Sequence, residues 1–281
     1  MTTINALLHQ ATAQFTSVSD TAALDAEVLL CRVLNKDRSY LRAWPEQPLT
    51  AQQQKCFQSL LNKRCLGTPI AYITGHKEFW SRKFLINENV LIPRPDTELI
   101  IERAINLIPE NQSLNLLDLG TGSGNIAITL AKERPAIAMV ASDTSAAALA
   151  IARENARRHK THNLHFYQSH WFENIPQQQF DLILSNPPYI AANDPHLQQG
   201  DLRFEPQTAL IAAQQGLQDI SEIVQHARCY MKSGSHLLIE HGYNQKSQVQ
   251  AFFKQYNYAK IITHNDWAGQ PRVTAAVWDS D

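Results

Sequence analysis

Over the first 75 residues, apolar positions recur every three or four places and do not alternate, so this stretch reads as helices only. Leu24, Val28, Leu30, Cys31 and Leu34 form one such stripe, with Ser19 or Asp20 as its N-cap. Thr50 opens another, which runs through Phe57, Leu60 and Leu61 and stops at Gly67, a natural C′ residue. Trp44-Pro45 and Pro48 punctuate the turn between them. The texture then shifts to short β-prone runs: Phe79-Trp80, Phe84-Leu85-Ile86 and Val90-Leu91-Ile92. Asn87-Glu88-Asn89 predicts the hairpin turn, and Pro93-Arg94-Pro95-Asp96-Thr97 opens a helix with Asp96 as N-cap.

From there, strand and helix patterns alternate. Strands are predicted at 114–119, 137–142, 164–168, 180–185, 236–240, 259–263 and 273–278. Helices are predicted at 124–132, 145–159 and 216–231. This alternation implies an α/β fold with a Rossmann-like, mostly parallel, doubly wound sheet covered on both faces. The expected organisation is a small helical domain at 1–75, a β-hairpin linker at 76–93 and the α/β domain at 94–281.

Composition narrows the classes. At 281 residues with 44% hydrophobic and 18% charged, the chain is long enough to bury a core without staples. Net charge is −1, and no Lys/Arg cluster suited to duplex phosphates is present, which argues against direct sequence-specific nucleic-acid binding. Cys31, Cys56, Cys65 and Cys229 show no C-x-x-C spacing, and the eleven histidines form no H-x-x-x-H pair within a helix, so no metal is expected. No apolar run reaches the roughly 18 residues a membrane span needs, and the N-terminus lacks signal-peptide layout. A cytoplasmic location with reduced thiols is the expectation.

Candidate chemistry sits at two strand ends. Asp118-Leu119-Gly120-Thr121-Gly122-Ser123-Gly124 joins the first sheet strand to its helix. Glycines there admit a ligand close to the backbone, and a nucleotide lies across this turn in a doubly wound sheet. Asp143, 19 positions after Gly124, ends the next strand where an acid accepts from a ribose diol. Position 125 is Asn where the dinucleotide fingerprint needs a small residue. A shorter G-x-G-x-G turn behind an acid fits S-adenosylmethionine better, since that cofactor has no pyrophosphate.

The second element is Asn186-Pro187-Pro188-Tyr189, directly after strand 180–185. Two prolines leave a stiff loop offering only backbone acceptors, and Asn186 adds a side-chain oxygen. An amide NH₂ is a poor nucleophile with two N–H donors. Acceptors at Asn186 and the Pro187 carbonyl would hold both, aim the nitrogen at a methyl donor, and stabilise the charge developing on it. Tyr189 would pack against the planar group.

Gly120–Gly124, Asp143 and Asn186–Tyr189 together resemble the release factor glutamine methyltransferase family, also called PrmC or HemK. Leu24-Asp25-Ala26-Glu27, Pro69–Gly75, Ile92–Glu98 and Arg203-Phe204-Glu205-Pro206 extend the likeness along nearly the whole chain. Asn-Pro-Pro-Tyr alone is shared with adenine-N6 methyltransferases; the helical head and Ile-Pro-Arg-Pro-Asp-Thr-Glu narrow it. The resemblance implies a class I methyltransferase fold and methyl transfer from S-adenosylmethionine to the amide nitrogen of the glutamine in the Gly-Gly-Gln loop of class I peptide-chain release factors. It implies cofactor contacts at Gly120, Thr121, Gly122, Ser123, Gly124, Asp143, His170 and Trp171. Asn186 would bridge cofactor and acceptor, Pro187, Pro188 and Tyr189 would hold the acceptor, and the helical head would recognise the protein substrate. Where the family commonly carries an acid, this chain has His170, so His170→Asp is expected to tighten cofactor binding.

Other residues read more plainly. Glu240-His241-Gly242 is expected to be a structural loop at a strand end. Arg94, Asp96 and Glu98 could line the site mouth or simply cap and pair, and Leu91 and Ile92 could roof the acceptor pocket or simply be core. The competing functions are an adenine-N6 methyltransferase on nucleic acid, which would need base flipping and a phosphate surface, and a non-catalytic nucleotide-binding adaptor.

Overall fold

The computed structural model describes residues 2–279. Two compact units emerge: 2–76 together with 195–204, and 77–194 together with 205–279.

The first unit carries α1 (Ile4–Phe15), α2 (Ala22–Leu34), α3 (Arg38–Ala43), α4 (Ala51–Cys65) and α5 (Ile70–Thr74). Phe15, Leu29, Leu30, Phe57 and Leu61 fill its core. Thr50 caps α4 through a capping box with Gln53, and Gly67 takes the C′ place at φ +88°. The cap of α2 differs from expectation. Thr21 holds the N-cap position without a side-chain cap bond, while Ser19 Oγ accepts instead from the Thr21 N–H at 3.1 Å. Buried Arg64 bonds Asp25 at 2.8 Å and the carbonyls of Val18, Gly67 and Thr68, tying loops to helices. Within the same unit Arg203 lies against Gly67, and Asp201 lies 3.8 Å from Arg64.

The hairpin β1 (His76–Phe79) and β2 (Arg82–Leu85) turns at Trp80-Ser81 and not at Asn87–Asn89. Trp80 and Ser81 stand at φ +50° and +56°, the geometry a two-residue hairpin turn needs, although neither residue advertises it. Val90–Ile92 is irregular, with Val90 and Ile92 buried. A single 3₁₀ turn, Pro95–Thr97, precedes α6 (Glu98–Leu107). Asp96 does not cap that helix; Thr97 occupies the N-cap, and Asp96 pairs with Arg272 at 3.1 Å.

In the second unit, β3 (Asn115–Leu119), α7 (Asn125–Glu133), β4 (Ala138–Asp143), α8 (Ala146–Arg158), β5 (Leu164–Gln168) and β6 (Phe180–Ser185) alternate as predicted. After the short pair β7 (Ile190–Ala191) and β8 (Ile211–Ala212), a single turn α9 (Ala213–Gly216) leads into α10 (Gln218–Ala227). The helix predicted for 216–231 is therefore shorter. A 3₁₀ turn at Arg228–Tyr230 ends it, and Met231 already begins β9 (Met231–Glu240). The exposed polar run Ser233-Gly234 hides the start of this strand from a hydrophobicity reading. α11 (Lys246–Gln255) has no predicted counterpart, because only Val249 and Phe253 are buried along it. β10 (Ala259–Asn265) and β11 (Pro271–Trp278) close the fold.

The sheet order is β10-β11-β9-β6-β3-β4-β5. β5, β4, β3, β6 and β9 run parallel; β11 pairs antiparallel with β9, and β10, at the edge, pairs antiparallel with β11. Successive strands β3, β4 and β5 spread to one side before the chain crosses to β6. The switch point thus falls between β3 and β6, where open α/β sheets place ligands. Among the described residues no helix is long and apolar enough to cross a membrane.

Candidate functional site

A cavity of about 330 Å³ opens at the carboxyl ends of β3, β4, β5 and β6, within the usual range for a small-molecule site. Gly120, Gly122, Asp143, His170, Trp171, Asn186 and Pro188 line it. Thr121, Ser123, Gly124, Pro187 and Tyr189 are not among its lining residues.

The glycine turn is held from both sides. Thr121 N–H donates to the Ser142 carbonyl (2.8 Å), its hydroxyl to Asp118 (2.6 Å), and Ser123 Oγ to Asn125 (3.1 Å). Gly124 is required twice over: it sits at φ +80°, and a Cβ would lie 2.9 Å from Ile128 Cδ1 and 3.2 Å from Ala152 Cβ. Asn155 is fully buried on α8 and clamps the turn to the hairpin. Its Nδ2 donates to the Ser123 carbonyl (2.9 Å) and the Leu85 carbonyl (3.1 Å), and its Oδ1 accepts from Leu85 N–H (2.7 Å).

Asp143 accepts from Gly122 N–H (2.8 Å) and Ser145 N–H (2.9 Å), one on each oxygen. Each oxygen keeps a lone pair for a diol, and burial raises the carboxyl pKa against those two N–H bonds. Asp118 behind it is fully buried with Oδ1 unpartnered, and burial pushes its carboxyl up to about 7. The Thr121 hydroxyl opposes that shift and the Asp143 charge adds to it.

On the β5 side, His170 is exposed, with Glu173 and Glu222 each 3.7 Å from Nδ1. Trp171 is buried at φ +41°, and its indole N–H lacks a partner of ordinary geometry while facing Asp219. Asp219, in the first turn of α10, lines the cavity on this side. Its carboxyl pKa is raised by burial. Sequence reading missed it because an acid in a first helical turn looks like a dipole complement. Asn89, Val90, Leu91, Pro206, Thr208, Ala209 and Ile211 are also part of the wall; of the two residues read as either roof or core, Leu91 lines the cavity and Ile92 is core.

The Asn186 loop is braced from behind. Asn186 Nδ2 donates to Thr97 Oγ1 (3.2 Å) and Tyr189 Oη to Glu240 Oε1 (3.4 Å), while the Tyr189 carbonyl accepts from Gln245 Nε2 (2.9 Å). A Cβ on Gly216 would meet that same carbonyl oxygen at 2.1 Å, so backbone packs on backbone there. Burial raises the Tyr189 phenol pKa and pushes the Glu240 carboxyl up to about 7 against Thr97 and Arg272. His241 is buried and satisfied by Thr274 Oγ1 (2.8 Å) and the Gly242 carbonyl (2.9 Å), a structural arrangement. Arg94, Asp96 and Glu98 lie off the cavity wall: Arg94 pairs with buried Glu205, Asp96 with Arg272, and Glu98 accepts from Trp80 N–H (2.7 Å). Glu205 also accepts from Ile92 N–H (3.0 Å), so it anchors the Ile92–Arg94 strap.

Two family models match: the PrmC N-terminal domain over residues 6–75 and the methyltransferase small domain over 97–201. Among solved structures, the chain is similar to the T. thermophilus 16S rRNA N2 G1207 methyltransferase in complex with AdoMet and guanosine. The TM-score is 0.52 at 15% identity, covering 72% of this chain and 49% of that one, which is a likeness of fold. The release factor glutamine methyltransferase of Escherichia coli is 43% identical over 95% of this chain and 96% of its own length. That of Aliivibrio fischeri is 46% identical over 99% of this chain and 98% of its own. By this identity across essentially its full length, the chain belongs to the release factor glutamine methyltransferase family.

Proposed function

We propose that the protein transfers a methyl group from S-adenosylmethionine to the side-chain amide nitrogen of the glutamine in the Gly-Gly-Gln loop of class I peptide-chain release factors, in the cytoplasm. The observation that carries this reading is one cavity shared by a glycine turn, a diol-ready acid and an Asn-Pro-Pro-Tyr loop. The residues fit the cofactor. Gly120 and Gly122 border the cavity without side chains, and Asp143 retains lone pairs beside them. Trp171 offers a ring wall next to His170 and Asp219. Thr121, Ser123 and Gly124 shape the turn from behind. A methyltransferase of similar fold, the T. thermophilus 16S rRNA enzyme, holds AdoMet in its solved structure, which supports the same ligand here.

When bound, S-adenosylmethionine supplies an electrophilic methyl on a sulfonium. The chain's own work is to pose the acceptor. Asn186 Oδ1 and the Pro187 carbonyl accept the two amide N–H bonds, which turns the nitrogen lone pair toward the methyl and favours the developing positive charge. Pro187 and Pro188 stiffen the loop, and Tyr189 pins its far end through Glu240 and Gln245. The helical head, residues 1–75, recognises the release factor, and the domain at 94–281, entered through 76–93, performs transfer.

The test is to incubate the protein with S-adenosylmethionine and a class I release factor, then look by mass spectrometry for one added methylene on the Gly-Gly-Gln peptide. Asn186→Ala should abolish the product. DNA as competing substrate should stay unmodified; methylated DNA beside an untouched release factor would instead favour adenine-N6 chemistry.

A further inference from the structure

A primary amide offers the pocket either its oxygen or its NH₂, and the two are nearly isosteric. The proposed chemistry works only if Asn186 presents oxygen, so something must prevent the half-turn. Behind the cavity wall, Asn186 Nδ2 donates to Thr97 Oγ1 at 3.2 Å. Among the described residues Oδ1 has no protein partner. Thr97 is 2% exposed and outside the cavity lining, so its hydroxyl proton must be placed within the protein.

The group it faces is Glu240, 1% exposed at the end of β9. Thr97 lies beside the Glu240 carboxyl; no hydrogen bond of ordinary geometry joins the two, and the buried Oε2 is left as an acceptor without such a partner. Tyr189 Oη takes Oε1 at 3.4 Å, and Arg272 and Asp96 supply the other nearby charges. Above about pH 7 Glu240 is a carboxylate, which accepts and cannot donate, so at pH 8 it draws the Thr97 proton toward itself. Thr97 Oγ1 is then left with lone pairs only on the Asn186 side. A flipped Asn186 would set its oxygen against those lone pairs.

We propose that Thr97 and Glu240 are positioning residues that fix the amide orientation of Asn186, so that its oxygen faces the acceptor. This rests on the reading of Asn186 as the acceptor-binding residue. It assigns a role to the threonine in Ile-Pro-Arg-Pro-Asp-Thr-Glu and to the glutamate before His241, neither of which touches the cavity.

The experiment is steady-state methylation of a release factor at pH 8, with kcat and both KM values resolved, for Thr97→Val, Thr97→Ser, Glu240→Gln, Asn186→Ala and the Thr97→Val/Asn186→Ala pair. Thr97→Val should lower kcat about tenfold with both KM values within about twofold, and Thr97→Ser should stay within about threefold of wild type. Glu240→Gln should lower kcat although it removes a buried charge and leaves Tm equal or higher, a combination that a merely structural role does not produce. The pair should be no slower than Asn186→Ala alone, the non-additivity expected of residues acting as a unit. Wild-type kcat in Glu240→Gln, or in a folded Thr97→Val, beside an inactive Asn186→Ala overturns this inference and leaves the proposed function standing. Full activity in Asn186→Ala overturns both.

Discussion

Asn155→Leu tests the link between fold and cofactor turn. The substitution keeps size and burial but deletes three hydrogen bonds. Ser123 is 1% exposed, so its carbonyl would be left dry at a cost of about 1–3 kcal/mol. The Leu85 N–H and carbonyl belong to a half-buried residue, and each regains part of its hydration, costing about 1 kcal/mol apiece. The apolar side chain returns about 1 kcal/mol through burial. The net is roughly 3 kcal/mol, or about 6–12 °C in Tm for a unit of this size. Scanning calorimetry of wild type and variant reads that directly. S-adenosylmethionine affinity, by titration calorimetry, should fall several-fold, since Asn155 anchors the carbonyl of a cofactor-turn residue. A loss of less than about 1 kcal/mol would refute the clamp.

Further outcomes concern charge, packing and the β5 side of the cavity. Folded Asp118 holds its proton up to about 7, against an ordinary 3.8, so the folded state binds more protons between these values. The associated stability is fully present below about 4 and is lost as pH rises through 7. Glu240, held at about 7 against 4.5, has the same sign. Denaturant titrations at pH 5 and pH 8 should therefore show Asp118→Asn losing about 1–3 kcal/mol less than wild type over that interval, and equal losses would refute the buried-acid account. Gly216→Ala places a Cβ 2.1 Å from the Tyr189 oxygen at φ +84°; kcat should drop at least tenfold and Tm should fall, whereas an unchanged variant would show that this backbone contact is soft. Asp219→Ala should weaken S-adenosylmethionine binding roughly tenfold, and His170→Asp in that background should tighten it again. Unchanged affinity in Asp219→Ala would remove that carboxylate from the cofactor's partners.

What was legible in the sequence was local. The β–α alternation, the glycine turn and Asp143 are readable because period and spacing are short-range properties, and they met at one cavity. The Asn186 loop was legible because two prolines after a strand leave few conformations. The hairpin turn was not: Trp80 and Ser81 adopt left-handed φ under tertiary constraint, while Asn87–Asn89 looks the better turn. α11 escaped because its buried stripe is a single residue per turn. Asp219 and Glu240 lie 33 and 54 positions from Asn186, and only the folded sheet reveals what each faces. The assignment of Asp96 as a cap failed for the same reason, because its partner Arg272 is 176 positions away.

Residues 195–204 belong with the helices although the residues on both flanks belong with the sheet. The polypeptide therefore passes between the two units three times, and the head is not a detachable cassette. Excising the first 76 residues would strip Asp201 of Arg64 and Arg203 of its seat on Gly67, abandoning ten residues midway along the remainder. A head exchanged between relatives keeps these contacts only when residues 195–204 travel with it.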